Sequence, residues 1–429
     1  MRSILFNTTC ITFISLLTFS TASAQSGWNQ IKSGTSENLE SIHFTYDGIG
    51  YVVGANGIIL KSQNGGINWL RLTSPTSIIL NDVSVFDNDV AVAVGEAGTI
   101  IRTDNGGSSW SFIPSVVTDD LLSVSFIDSF GICGARSQTI LYSSDSGLTW
   151  NIAQSGFFGG GFWGASMISP QIGFVAGENS IFQPLLGKTT DSGQNWDFTA
   201  FYLNNNEGRA TGVDFTDVFI GYVSSRVWDG RGAISKTTNR GIAWITTFFN
   251  NPIWGIDFPI SDASLTGYAV GDSGVILKTY DAGDKWQAQN SKTNLKLNKV
   301  YFIDIDFGFV VGDNGLILRT TNGGEPITDN DDNSMPVYDF KLFQNYPNPF
   351  NPITNIEFRI ANFGFVSLKV YDVLGNEVAT LVDKYLPAGN YEVEFNSHSD
   401  EGRNLASGIY FYQLKAGHFV DTKKMLLLQ

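Results

Sequence analysis

Ser143-Ser-Asp145-Ser-Gly147-Leu-Thr149-Trp150 decides the fold, because the chain repeats it. Aligned on the tryptophan, its relatives end in Asn64-Gly-Gly66-Ile-Asn-Trp69, Asn105-Gly-Gly107-Ser-Ser-Trp110 and Asp191-Ser-Gly193-Gln-Asn-Trp196. Asn239-Arg-Gly241-Ile-Ala-Trp244 and Asp281-Ala-Gly283-Asp-Lys-Trp286 follow, and Asn322-Gly-Gly324 lacks only the tryptophan. The residue types explain the turn. Asp or Asn accepts backbone N–H groups two residues on, and Gly takes positive φ without a Cβ penalty. The tryptophan opens an outer strand and buries its ring between neighbouring units.

A period of about 40 to 48 residues is the signature of a propeller blade, one four-stranded sheet per repeat. The second repeat reads as strands at Asp82–Phe86, Val90–Val94, Thr99–Thr103 and Trp110–Ile113, each alternating or running apolar between Gly, Asn and Asp punctuation. Trp28 lies one period before Trp69 with no repeat body in front of it. It therefore supplies the missing seventh tryptophan, and its strand closes the ring and removes the exposed edges. The expected fold is all-β: a seven-bladed β-propeller over residues 25–327, closed by the N-terminal strand, plus a small C-terminal Ig-like β-sandwich.

The 429-residue chain is long enough for two or more domains. A net charge of −15 argues against nucleic acid, whose phosphates need clustered Lys and Arg. Residues 1–24 read as a signal peptide, with Arg2 at the positive end, an apolar run from Ile11 to Phe19, and cleavage between Ala24 and Gln25. No segment is expected to span a membrane as a helix. Cys133 is then alone in the mature chain, inside an apolar strand, and reads as an inert core thiol. No cofactor and no metal site are expected. The acidic segment 328–339, with Asp329, Asp331 and Asp332, lacks the Gly turn and closing Glu of a calcium loop and reads as a linker.

The insertions collect in blades four and five, on the face opposite the Asp-type turns. They gather Phe158, Trp163, Tyr202, Trp228 and Trp254 with Arg136, Arg209, Arg226 and Arg231. Aromatic and Arg residues on loops of a rigid scaffold favour binding. The expected ligand residues are Trp163, Trp228 and Trp254 for stacking, with Arg209 and Arg231 for anionic groups. Alternatively, these rings plug the channel mouth. Polar residues also interleave along the inner strands at His43, Asp214, Asp257 and Tyr301. Asp214 or Asp257 would serve as the catalytic residue of a hydrolase, and the bland reading is that they find water or backbone partners.

From Phe340 a Pro-punctuated module begins, with short strands between turn signals and no helical period, as in a β-sandwich. Tyr346-Pro-Asn-Pro-Phe-Asn-Pro352, Val370-Tyr-Asp-Val-Leu-Gly375, Ser407-Gly-Ile-Tyr-Phe-Tyr412 and Thr422-Lys-Lys-Met425 resemble the type A sorting domain of type IX secretion cargo. That resemblance implies that residues 340–429 engage the type IX secretion machinery. It also implies export across the outer membrane, after Sec-type export to the periplasm, to a released or surface-anchored form. The repeats, on Val53-Gly-Ala-Asn-Gly-Ile-Ile-Leu-Lys61 and Val270-Gly-Asp-Ser-Gly-Val-Ile-Leu-Lys278, resemble the propeller of photosystem II stability and assembly factors. The Asp-type turn is also similar to that of sialidases and xyloglucanases, where it is structural. The reading is a secreted or cell-surface binding or scaffold protein for a glycan, peptide or protein partner. The alternative is a polysaccharide-active glycoside hydrolase.

Overall fold

The computed structural model describes residues 27–45, 48–137, 139–153, 159–203, 206–259, 265–326, 340–360, 364–386, 389–398, 405–416 and 419–428. The expected cleavage site at Ala24 and Gln25, Phe158, and the acidic segment lie outside them. Among the described residues up to 326 are seven four-stranded antiparallel sheets, here numbered as blades in chain order. Their inner strands are Leu39–Phe44, Leu80–Val85, Leu121–Ile127, Gly159–Met167, Gly208–Phe215, Ile253–Asp257 and Leu297–Phe302. Each packs on the next, and Leu297–Phe302 packs on Leu39–Phe44. In blade seven the outer strand is Asn29–Ile31, in register from Asn29 opposite Arg319 to Ile31 opposite Ile317. Trp28 is fully buried there, edge-on to Phe302, and its indole N–H donates to Gln289 at 2.8 Å.

The turn works differently from the sequence reading in one respect. Asp145 accepts the N–H of Thr149, four residues on, at 2.9 Å, as Asp191 and Asp281 accept those of Asn195 and Lys285. The Gly147 N–H goes instead to the Ser143 hydroxyl at 3.0 Å, and that hydroxyl donates to Asp145 at 2.8 Å. Thr189 serves Gly193 and Asp191 in the same way, and Thr279 serves Gly283 and Asp281. At Asp281 the Lys285 N–H holds the carboxyl below its ordinary range. The central turn has two successive residues at positive φ, Ser146 at 59° and Gly147 at 78°. Only the second must be glycine for space: a Cβ there would lie 2.8 Å from Val92 of the preceding blade.

Two further devices tie blade to blade. Cations on the third strands reach the next blade's turn: Lys61 donates to the Gly106 carbonyl, Arg102 to Ser146, Lys278 to Gly323 and Arg319 to Gly65. The last of these joins blade seven to blade one. Aromatic rings also stack across the seams, as in Tyr222 on Phe258, Tyr268 on Phe302 and Phe309 on Phe44. Each sheet alone could not cover its apolar faces, and the stacking does so. Trp150, Trp196 and Trp110 are buried, whereas Trp69, Trp244 and Trp286 are partly exposed.

The C-terminal part has a three-stranded sheet of Lys341–Leu342, Ile353–Ile360 and Gly389–Asn396. Its four-stranded companion runs in the order Glu377–Leu386, Gly364–Tyr371, Gly408–Ala416, Phe419–Leu427. One apolar cluster, including Phe358, Leu368, Tyr412 and Met425, fills the space between them. The Pro-punctuated segment is bonded to the last strand's end: Phe350 N–H donates to the Leu426 carbonyl, and Leu428 N–H donates back to the Phe350 carbonyl.

Candidate functional site: a cationic and aromatic cluster at the channel mouth

Every inner strand bulges just after its first core residue. The pairing shifts between Leu39 and Ser41, Leu80 and Asp82, and Leu121 and Ser123. It shifts likewise between Phe162 and Gly164, Ala210 and Gly212, Ile253 and Gly255, and Leu297 and Lys299. A bulge re-aims the extra residue. The seven extra residues, Glu40, Asn81, Leu122, Trp163, Thr211, Trp254 and Asn298, line one axial cavity of about 80 Å³. Three of them also lace the seams: Asn81 donates to the Leu121 carbonyl, Thr211 to Ile253 and Asn298 to Leu39, each in the next blade.

Trp163 and Trp254 are thus bulge residues of blades four and six, and Arg209 enters from blade five between them. Its guanidinium lies 4.5 Å from the Trp163 ring, 5.7 Å from Trp254 and 5.9 Å from Trp228. Arg226 lies 5.1 Å from Trp228 and 5.9 Å from Trp254, and Lys296 lies 4.1 Å from Trp254. The Trp254 indole N–H donates to Asp272 at 2.6 Å, which fixes the ring. Phe182 meets Trp228 edge-on.

Register makes this cluster unusual. Arg209 stands directly opposite Arg226 on the adjacent strand. Like charges facing each other across a strand pair are destabilising. Burial and the charges of Arg226 and Arg136 pull the Arg209 guanidinium below its ordinary range, and Glu178 alone opposes them. The Arg209 Nε is buried with no hydrogen-bond partner among the described residues, and so is Glu178 Oε2. Gly160 and Gly161 make room for both neighbours. A Cβ on Gly160 would lie 2.5 Å from Glu178 Cγ, and one on Gly161 would lie 3.0 Å from Trp163.

Of the five expected ligand residues, the structure brings four together: Trp163, Arg209, Trp228 and Trp254. Arg231 stands apart, paired with Asp229 at 2.6 Å and lying over Phe248. The indole faces assigned to stacking carry cations instead. Lys296, Glu178 and Asp272 complete the cluster and were not singled out in the sequence. A signal for Lys296 existed, since it occupies the same place before Leu297 as Arg209 before Ala210.

The two candidate catalytic carboxylates lie outside this cavity's lining, further along the inner strands of blades five and six. Asp214 accepts the Phe258 N–H at 2.7 Å, and Asp257 accepts the Phe302 N–H at 2.8 Å, each across a seam. Burial pushes the Asp214 carboxyl up to about 6. Burial, together with Asp214's charge, raises that of Asp257 well above the usual range. His43 and Tyr301 bridge seams too, to Val85 N–H and the Phe44 carbonyl. Burial pushes His43 down to about 4, so it is neutral and accepts through Nδ1.

The family model described as photosynthesis system II assembly factor YCF48 matches residues 20–116 and 248–331, and that described as secretion system C-terminal sorting domain matches residues 344–428. A search of curated proteins found no match. Among solved structures, YCF48 from Cyanidioschyzon merolae aligns with a TM-score of 0.55 at 18% identity, over 70% of this chain and 98% of its own. YCF48 bound to D1 peptide aligns at 0.55 and 20%, over 72% and 100%. The WD40 β-propeller domain of Doa1 aligns at 0.53 and 14%, over 69% and 96%. At these identities the structural likeness speaks for the fold alone. Trp163, Arg209, Arg226 and Trp228 lie between the two matched stretches of the propeller, whereas Trp254 and Lys296 lie inside the second. The chain is a YCF48-like β-propeller followed by a secretion-system C-terminal sorting domain, which directs export to the outer membrane, the cell surface or the medium.

Proposed function

We propose that the propeller is a surface-displayed binding module that recognises a carboxylate-bearing segment of a peptide or protein partner through Arg209 and Arg226. The observation that carries this is the cross-strand Arg pair with the unbonded Arg209 Nε. Two facing guanidinium groups repel until an anion sits between them, and Arg geometry suits a carboxylate. The indoles hold the cations in place, so recognition rests on charge more than on sugar stacking. A peptide is favoured because YCF48, a propeller of the same kind, has been solved with a D1 peptide bound. An acidic glycan is the second source of the same carboxylate. Asp214 and Asp257 each commit an oxygen to a blade seam, which supports the structural reading over the hydrolase. The sorting domain, through residues 340–429, would bring the module to the type IX machinery.

The test is an array of peptides with free C-terminal carboxylates alongside acidic and neutral glycans, probed with the full chain and with an Arg209→Ala, Arg226→Ala double variant. Losing charge-assisted hydrogen bonds worth about 1.5–3 kcal/mol each predicts a loss of roughly tenfold to a hundredfold per residue. A folded wild type that binds no carboxylate, or a double variant that binds as well, refutes the proposal. Hydrolysis abolished by Asp214→Asn would instead establish the enzyme.

A further inference from the structure

We infer that Glu178 is the built-in counter-ion of Arg209, and that a ligand carboxylate displaces it only as Glu178 takes a proton from solvent. Binding then tightens as the surroundings acidify. This rests on the reading of the cluster as a carboxylate receptor and adds its regulation.

The geometry comes first. Glu178 sits near the end of Gly173–Asn179 in blade four, and Arg209 near the start of Gly208–Phe215 in blade five. Each has a buried polar atom with no partner among the described residues, an acceptor on Glu178 Oε2 and a donor on Arg209 Nε. Buried donors and acceptors are mostly paired, so an unpaired one asks for an explanation, and here an unpaired anion and an unpaired cation share one cluster. Glu178 is held in place by the bulge opposite it, where the pairing shifts between Gly159 and Phe162. The Gly160 position admits no side chain beside it. Glu178 is thus a placed residue at the end of a rigid strand.

The charges around the pair set the sign. The charge of Arg209 acts on Glu178 from blade five, Arg226 stands opposite Arg209 on the adjacent strand, and Arg136 adds its field from blade three. Burial raises the Glu178 carboxyl above its ordinary range, and Arg209 opposes that. An ionised Glu178 neutralises Arg209 and repels an incoming carboxylate, whereas a protonated one does neither. Above the Glu178 pKa, each pH unit leaves tenfold less of the receptive form, so the apparent Kd rises about tenfold per unit. Below it the affinity levels off.

Formate is the probe, followed through the Arg209 Nε–H resonance of the full chain carrying ¹⁵N-arginine, assigned with an Arg209→Lys variant. As the pH rises from below the Glu178 pKa to above neutrality, wild type should show the level and then rising Kd just described. Glu178→Gln, neutral throughout, should bind at every pH as tightly as wild type does at the acid end. A Kd in wild type that does not change with pH, or a slope retained in Glu178→Gln, overturns the inference while leaving the receptor reading intact. If formate shifts the resonance in neither protein, both fall.

Discussion

Blades three and five share one turn but seat its tryptophan in different ways. In blade three, Trp150 stands edge-on to Phe126 of its own inner strand, with ring centroids 5.5 Å apart, and its buried indole N–H has no partner among the described residues. Trp69, Trp110 and Trp286 are also edge-on to an aromatic ring, with the N–H unbonded among the described residues. In blade five, Trp244 stacks on Phe201 at 4.6 Å and donates to the Gly241 carbonyl at 3.0 Å. Phe201 belongs to the crossing from blade four. The inserted crossing therefore brings its own aromatic partner, while Phe215 stacks on Phe174 across the seam, as Phe44 stacks on Phe309 and Phe258 on Tyr222. Regular blades repeat a seam, whereas blade five rebuilds its own with a residue of the crossing. Arg209 and Trp228 stand on this rebuilt side.

The largest expected effect separates the two kinds of crossing. Phe201 is buried, and Phe201→Ala should destabilise the propeller by about 3–5 kcal/mol, the usual cost of emptying a core aromatic. Val116, in the crossing into blade three, is half exposed, and Val116→Ala should change stability by no more than about 0.5 kcal/mol. Calorimetry of the full chain reads both, and equal effects would erase the distinction. A smaller loss is expected within the shared turn. Gly147→Ala forces positive φ on a side chain and drives it against Val92, at a cost of about 1–3 kcal/mol. If calorimetry finds it neutral, the turn yields more easily than its spacing suggests.

The propeller was legible because its signals are local and recur. The Asp or Asn, Gly and Trp of each turn, the alternating strands and the phase of Trp28 can all be read without knowing any register. The hydroxyl two residues before each Asp or Asn was equally visible as Ser143, Thr189 or Thr279. Residue types alone give the Gly N–H to the carboxylate, and only the geometry gives it to the hydroxyl. The site was legible only in composition. Which residues meet depends on the bulge between Ala210 and Gly212, which sets Arg209 opposite Arg226. A one-residue slip in register moves a side chain to the other face, and a bulge is such a slip. Arg231 was grouped with the others by loop proximity, yet Asp229 two residues earlier captures it. The roles of Glu178 and Lys296 depend on neighbours from other blades, and one chain's order does not reveal that.

The finest contrast is the indole N–H itself. Replacing tryptophan by phenylalanine removes ring area in every blade, so a single substitution cannot isolate the hydrogen bond. A pair can. Trp150→Phe deletes an N–H that has no partner, which spares the folded state an unmet donor. Trp244→Phe deletes an N–H that serves the Gly241 carbonyl. Trp150 is also the more deeply buried, so ring area alone would make its loss the costlier. A net hydrogen bond contributes about 1 kcal/mol, and an unmet buried donor costs at least as much. The hydrogen-bond difference should therefore offset the difference in area, and Trp244→Phe should prove at least as destabilising as Trp150→Phe. If Trp150→Phe is clearly the worse, its indole N–H has a partner in solution, such as an ordered water, and the two seams differ only in their rings.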